Sequence, residues 1–143
     1  MNIRTFEKDD RPPEFYAHIG PYALNRSVTK EMHDPMYGHI YDEPHAIWFV
    51  AINDSGELLG FCTLFEREKD LFLDNCYVVP GHRRNGVGRA LFAARLEYAK
   101  RIANHKPIKG ITMNESQYRI YLEQGFTLTS KRGKYYWLSL EVK

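Results

Sequence analysis

The chemistry in this chain is concentrated in one stretch, Tyr77-Val78-Val79-Pro80-Gly81-His82-Arg83-Arg84-Asn85-Gly86-Val87-Gly88-Arg89-Ala90-Leu91. An apolar strand pattern runs into a basic loop, and the loop runs into a helical pattern. The first amides of a helix lack intrahelical partners and carry the positive end of its dipole. Gly86 and Gly88 remove side chains there, so an anion can approach the backbone closely. Arg83, Arg84 and Arg89 add full positive charges. Such a construction suits a diphosphate. The Gly-Lys-Ser/Thr end of a triphosphate loop is missing, and Leu91 stands where the dinucleotide fingerprint needs its third glycine. The plainer alternative is a solvated basic turn capped by glycines.

Two further clusters invite chemical readings. His33, His39 and His45 lie near Asp34, Asp42 and Glu43. Their six-residue steps match no zinc-ligand spacing, so they read as exposed loop histidines and no metal is expected. Cys62 and Cys76, the two cysteines, are too few for a disulfide framework. Nothing in the sequence places a His or a cation beside them, so they read as buried or half-buried thiols.

The elements that must position these groups follow from apolar patterning. Asn2–Phe6 reads as a strand. Asp9-Asp10-Arg11-Pro12-Pro13 opens a helix, because acidic residues and prolines suit a first turn. Helical spacing then runs from Phe15 to Arg26, and Gly20-Pro21 predicts a break between two short helices. Residues 32–45 show no period and read as a long loop, usually a functional feature in a compact domain. Ala46–Ile52, Leu58–Phe65 and Leu71–Val79 read as an antiparallel meander. A three-residue turn at Glu68-Lys69-Asp70 would pair Arg67 with Leu71 and set Cys62 opposite Cys76. Gly86–Asn104 is helical, with Val87, Leu91, Ala94, Tyr98 and Ile102 as its apolar stripe. Pro107–Met113 reads as a strand and Ser116–Gln124 as a helix ended by Gly125. Phe126–Ser130 and Lys134–Val142 close the chain as a hairpin. The expected order is β-α-α-β-β-β-α-β-α-β-β, an α/β fold with helices on a mixed sheet, as a single domain over residues 1–143.

With 143 residues, 43% hydrophobic and 27% charged, the chain has the balance of a soluble globular domain. Collagen, low-complexity disorder and a disulfide-dense scaffold are excluded. The longest apolar run, Ala46–Ile52, is too short for a membrane span, and the N-terminus lacks a signal-peptide stretch, so a cytoplasmic protein is expected. The net charge of +2 hides an asymmetry: residues 1–75 sum to −7 and residues 81–109 to +7. A polyanionic ligand should prefer the middle of the chain.

Two segments resemble one family. Arg83-Arg84-Asn85-Gly86-Val87-Gly88 fits the Q/R-x-x-G-x-G/A motif of the GNAT (Gcn5-related) N-acetyltransferases, with the expected strand, Pro80 and long helix around it. Asn114-Glu115-Ser116-Gln117-Tyr118-Arg119-Ile120-Tyr121-Leu122-Glu123-Gln124-Gly125-Phe126 is similar to the family's N-x(6)-Y-x(3)-G-F segment. The order of elements fits along the chain, least well over residues 7–45. The resemblance implies acetyl-CoA as co-substrate. Backbone groups of Cys76, Tyr77 and Val78 would pair with its pantetheine arm, in a splay between the Leu71–Val79 and Pro107–Met113 strands. Amides and side chains of Arg83, Arg84, Asn85, Gly86, Val87, Gly88 and Arg89 would hold the pyrophosphate. Asn114 would hydrogen-bond the cofactor, and Tyr121 would sit near the sulfur and protonate the departing thiolate. Core packing with Tyr118 and Leu122 is the alternative role for Tyr121.

Some members of the family place a Glu on the strand entering the first motif. Here Asp74 is the carboxylate in that stretch, and strict alternation puts it on one face with Phe72, Cys76 and Val78. It would take the amine proton directly or through water. Alternatively it is a satisfied sheet carboxylate, or it holds a cationic substrate.

The expected activity is acetyl transfer from acetyl-CoA to a primary amine by direct attack in a ternary complex, by a monomer or homodimer with no membrane partner. A cationic small molecule or peptide amine is the expected acceptor, since Asp34, Asp42 and Glu43 lie beside Tyr37, Tyr41 and Trp48. A nucleic-acid acceptor, such as aminoacyl-tRNA or a modified base, is disfavoured by the acidic N-terminal half. Lys131, Arg132, Lys134 and the helix basics Arg95, Lys100 and Arg101 would have to serve it. The same two motifs would also suit a non-catalytic CoA-binding module, or an enzyme that takes a longer or charged acyl donor.

Overall fold

The computed structural model describes residues 1–23, 25–32 and 44–142. Their elements follow the expected order: β1 (Asn2–Phe6), α1 (Pro13–Ala23), α2 (Arg26–Met32), β2 (Ala46–Ile52), β3 (Leu58–Glu66), β4 (Leu71–Val78), a 3₁₀ turn (Pro80–His82), α3 (Val87–Ile102), β5 (Ile108–Thr112), α4 (Glu115–Glu123), β6 (Thr127–Arg132) and β7 (Tyr135–Leu140). The strands form one seven-stranded sheet in the order β1-β2-β3-β4-β5-β7-β6. Its neighbours are antiparallel except β4 and β5. β2 is buried at all seven positions, because helices cover both faces of the sheet at its centre. One core joins α3 and α4 to the sheet through Leu71, Leu73, Leu91, Phe92, Ile120 and Phe126. The other packs α1 and α2 on the opposite face through Phe15, Ile19, Val28, Trp48 and Phe61.

Three differences from the sequence reading have clear causes. α1 runs straight through Gly20-Pro21 to Ala23. Pro21 forfeits one backbone bond near the end of a helix anchored by buried Phe15 and Ile19. The break is set further on by Asn25, whose Oδ1 accepts the Ser27 N–H at 2.9 Å and caps α2. The turn after β3 is one residue longer than expected: Arg67 N–H donates to the Asp70 carbonyl at 2.9 Å, and the Arg67 guanidinium grips the Asp70 carboxylate. Glu66, not Arg67, therefore faces Leu71. A β-bulge at Asn75, with φ of 29°, then shifts the register by one, so that Cys62 does lie opposite Cys76. Two one-residue differences cancel at that pair.

β4 and β5 pair in parallel only at Leu71–Leu73 with Ile108–Gly110. Beyond Leu73 the bulged strand bends away while β5 stays with β7 as far as Thr112. The sheet thus opens a V-shaped cleft on its own strand backbone.

Candidate active site

The cleft widens into a cavity of about 520 Å³ lined by β4, the 83–89 loop, the end of β5 and the first turns of α4. Asp74, Cys76, Tyr77, Val78, Arg83, Arg84, Gly86, Gly88, Arg89, Asn114 and Tyr121 all line it. Two expected residues do not line it. Val87 turns its side chain into the core, and Asn85 is exposed, so only their backbone amides are placed to serve a ligand.

The loop has the backbone expected of a turn entering a helix at glycine. Gly86 is the N-cap of α3 with φ of 82°, a left-handed conformation that an L side chain adopts only with strain. Arg84 is also left-handed at φ 65°. Arg83 and Arg89 are tied at their ends. Arg83 donates to the Val78 carbonyl at 2.8 Å and ion-pairs with Glu31 of α2. Arg89 ion-pairs with Glu123 of α4. Both pairs are substantially exposed, and solvent screening leaves such pairs weak enough for an anionic ligand to replace the carboxylates.

α4 is held at both ends. Asn114 Oδ1 accepts the Gln117 N–H at 3.0 Å as N-cap, which leaves its Nδ2 for a ligand. At the other end Phe126 N–H bonds Tyr121 O and Gly125 N–H bonds Leu122 O, a Schellman closure. This frame turns Tyr121 inward while Leu122 stays exposed and Tyr118 stacks on Tyr136 at 4.0 Å. Tyr121 belongs to the core that Tyr118 borders, whereas Leu122 faces away from it. It is 1% exposed, wedged edge-on against Phe92 and Phe126. Burial pushes its phenol up from the ordinary value, with Arg95 pulling the other way, so it keeps its proton at neutral pH.

Gly110 makes room for that ring. A Cβ there would lie 2.4 Å from the Tyr121 hydroxyl and Cε1. Gly110→Ala will therefore displace the phenol and cost about 1–3 kcal/mol by overpacking. Denaturant midpoints of the two proteins check this, and an unchanged midpoint would contradict the packing.

The bulge corrects the expected placement of Asp74. Cys76 and Val78 pack with Leu71 and Leu73 on the α3 face, whereas Tyr77 joins the α1/α2 face. Strict alternation ends at Asn75, so Asp74 lies on the face opposite Cys76 and Val78. It still lines the cavity, because the cleft opens on both sides of the bent strand. Asp74 Oδ1 accepts the Asn75 N–H at 2.9 Å, and Asn75 Nδ2 donates to Thr63 Oγ1 at 3.2 Å.

Among the lining residues that the sequence reading did not single out for the site, Arg95 and Gln117 are buried polar groups. Arg95, taken there as a surface base, is 1% exposed, and its Nη1 donates to the carbonyls of Thr63 at 3.0 Å and Asp74 at 2.6 Å. Its Nε is buried without a partner among the described residues. Gln117 is 8% exposed beside Gly88 and Val78, and its Oε1 likewise has no partner among them. The signal for Arg95 was its place four residues after Leu91 and four before Ala99, on the buried side of α3. Both cysteines are free thiols, and burial pushes Cys62 up to about 12, which fits unreactive sulfur.

The aromatic and acidic acceptor wall fares differently. Trp48 is 1% exposed and packs on Phe15 and Phe61, so it offers no face to a ligand. His33, Asp34, Tyr37, His39, Tyr41, Asp42 and Glu43 lie outside the described residues. No helix among the described residues is long and apolar enough to cross a membrane.

Several known proteins are similar to this chain. Streptothricin acetyltransferase of Streptomyces lavendulae is 31% identical over 81 residues, 54% of this chain; the match spans 43% of that relative's length. A crystal structure of nourseothricin acetyltransferase is 28% identical with a TM-score of 0.54, covering 73% of this chain and 70% of that one. Spermidine N-acetyltransferase from Vibrio cholerae, solved with CoA and spermine, is 17% identical, superposes with a TM-score of 0.67, and covers 98% of this chain and 94% of its own. The acetyltransferase (GNAT) family model matches residues 6–126, from the end of β1 through both cavity-forming motifs to the residue that closes α4. By that match, and by the sheet and cleft it spans, this chain belongs to the acetyltransferase (GNAT) family.

Proposed function

We propose that this protein transfers an acetyl group from acetyl-CoA to the primary amine of a cationic small molecule or peptide, by direct attack within a ternary complex. The observation that carries the reading is the parting of β4 from β5 beside the N-terminus of α3. It sets unpaired strand backbone, an anion cradle and the Tyr121 phenol around one cavity.

The residues present fit the donor. The orphaned Gln117 Oε1, on a side chain beside Gly88 in the cavity wall, is an acceptor for an amide N–H of a pantetheine-like arm. When bound, acetyl-CoA supplies an activated acyl carbon with a sulfur leaving group. The α3 amides and Arg84 hold its diphosphate, assisted by Arg83 and Arg89. The β4 amides near the bulge stand where negative charge develops on the carbonyl oxygen. Asp74 takes the proton that the attacking nitrogen must lose as the N–C bond forms. Tyr121 directs its O–H at the sulfur as the C–S bond breaks, and the sulfur ends protonated. Holding the reactants in line supplies much of the rate.

Glu31 and Asp74 are the cavity's lining carboxylates among the described residues, and Glu31 is ion-paired with Arg83 of the loop. Asp74 on β4 is therefore the carboxylate that would attract a cationic amine, while the arginines of the loop and α3 attract the polyanionic donor. The names of the streptothricin and nourseothricin acetyltransferases support a small-molecule acceptor.

Calorimetric titration with acetyl-CoA tests the donor half of this reading. The expected Kd lies between about 1 μM and 1 mM, the usual range of enzyme–substrate affinities. No binding at millimolar ligand would overturn it. Tyr121→Phe is expected to lower kcat about tenfold or more while the KM for acetyl-CoA stays within about threefold, because the phenol acts on the departing sulfur. Steady-state kinetics check this, and a loss confined to KM would assign the tyrosine to packing or binding.

A further inference from the structure

Arg95 is a buried cation held by backbone carbonyls, with the Asp74 carboxylate near enough to act on its charge. Its guanidinium is spent on backbone carbonyls at the bulge, Thr63 and Asp74, and its Nε has no partner among the described residues. An ionised group so placed costs several kcal/mol that a methionine or leucine would avoid. Its position is specific. Arg95 lines the cavity together with Asp74 and Cys76 of β4 and Tyr121 of α4, at the point where β4 leaves β5. The titratable groups that face it are Cys62 from β3, Asp74 and Cys76 from β4 and Tyr121 from α4.

We propose that Arg95 is a positioning residue for acyl transfer: it clamps the β4 bulge and fixes a positive charge behind the point where the leaving sulfur accumulates electrons. The proposal rests on the acetyl-CoA reading above. In the step concerned, the amine nitrogen bonds to the acyl carbon and loses its proton to Asp74, and the C–S bond breaks with its electron pair on sulfur. A buried phenol holds its proton tightly, so sulfur departs first as a thiolate hydrogen-bonded by Tyr121. A fixed cation in a water-poor wall stabilises that anion without reorganising.

The consequence can be read without knowing the acceptor. The thiol of CoA bound to the wild-type protein is expected to titrate about one pH unit or more below free CoA, as an opposite charge nearby dictates. Ultraviolet thiolate absorbance reads this, with desulfo-CoA in a parallel complex to subtract Cys62 and Cys76. Arg95→Met should abolish the shift, and Arg95→Lys should retain part of it. A wild-type complex whose CoA thiol titrates as in free solution overturns the proposal, as does an Arg95→Met complex with the full wild-type shift. If Arg95→Met does not fold, the wild-type and Arg95→Lys titrations decide alone, by the same comparison with free CoA. A wild-type protein that fails to bind CoA at all overturns the donor-site reading itself.

Discussion

Gly86→Asp is expected to abolish acetyl-CoA binding while leaving the protein folded. A Cβ at Gly86 meets nothing within 4 Å, so there is space for the side chain. The φ of 82° imposes strain of about 1–2 kcal/mol on an L residue, and Asp is among the side chains that best tolerate this region. Its carboxylate would stand at the N-terminus of α3, beside the positive dipole end and the amides meant for a phosphate. The variant thus carries its own competing anion. A loss of about 100-fold or more in affinity is expected, with a thermal midpoint lowered by only a few degrees. Gly86→Ala, which adds the strain without the charge, should lose far less. Calorimetry on the three proteins decides, and undiminished binding by Gly86→Asp would remove the loop from the site.

Asp74→Asn is expected to lower kcat by about 10²–10⁴-fold at neutral pH, the usual contribution of a placed general base. The amide keeps the size and the acceptor oxygen that receives the Asn75 N–H, so the bulge should persist. With no base at hand the variant must draw on acceptor amine already deprotonated in solution. Its rate should then rise about tenfold per pH unit up to the pKa of the acceptor, more steeply than wild type. A pH–rate profile for each protein checks this. A variant with wild-type rate and profile would make Asp74 a structural carboxylate of the bulge.

The parts of this site that rest on local chemistry were legible in the sequence. Gly86, Gly88 and the arginines around them announce an anion site, since glycine and charge act within a few residues of where they stand. Asn114 and Gly125-Phe126 bound α4, and that frame points Tyr121 inward. What depends on a count of residues across space was not legible. The bulge at Asn75 adds one residue to β4 without disturbing its apolar pattern, so alternation carried Asp74 to the wrong face. The four-residue turn at Arg67–Asp70 was hidden for the same reason, and its effect on register vanished at Cys62 and Cys76. Arg95 was misplaced because apolar periodicity treats every charge as outward, although the carbonyls turned aside by the bulge supply its partners. Trp48 shows the converse: an aromatic residue beside a candidate binding loop packs into the core of a strand buried on both faces.

The central claim is that the cavity joins acetyl-CoA to a cationic amine, and thiol release from acetyl-CoA tests it most directly. One concentration of acetyl-CoA is offered with either of two acceptor pools. The first pool holds polyamines, aminoglycosides and basic peptides; the second holds aminoacyl-tRNA and duplex DNA. Turnover is predicted with the first pool, lost in Asp74→Asn at neutral pH, and at background with the second. Turnover confined to the nucleic-acid pool would contradict the acceptor assignment, and no turnover with either pool, despite bound acetyl-CoA, would contradict the catalytic one.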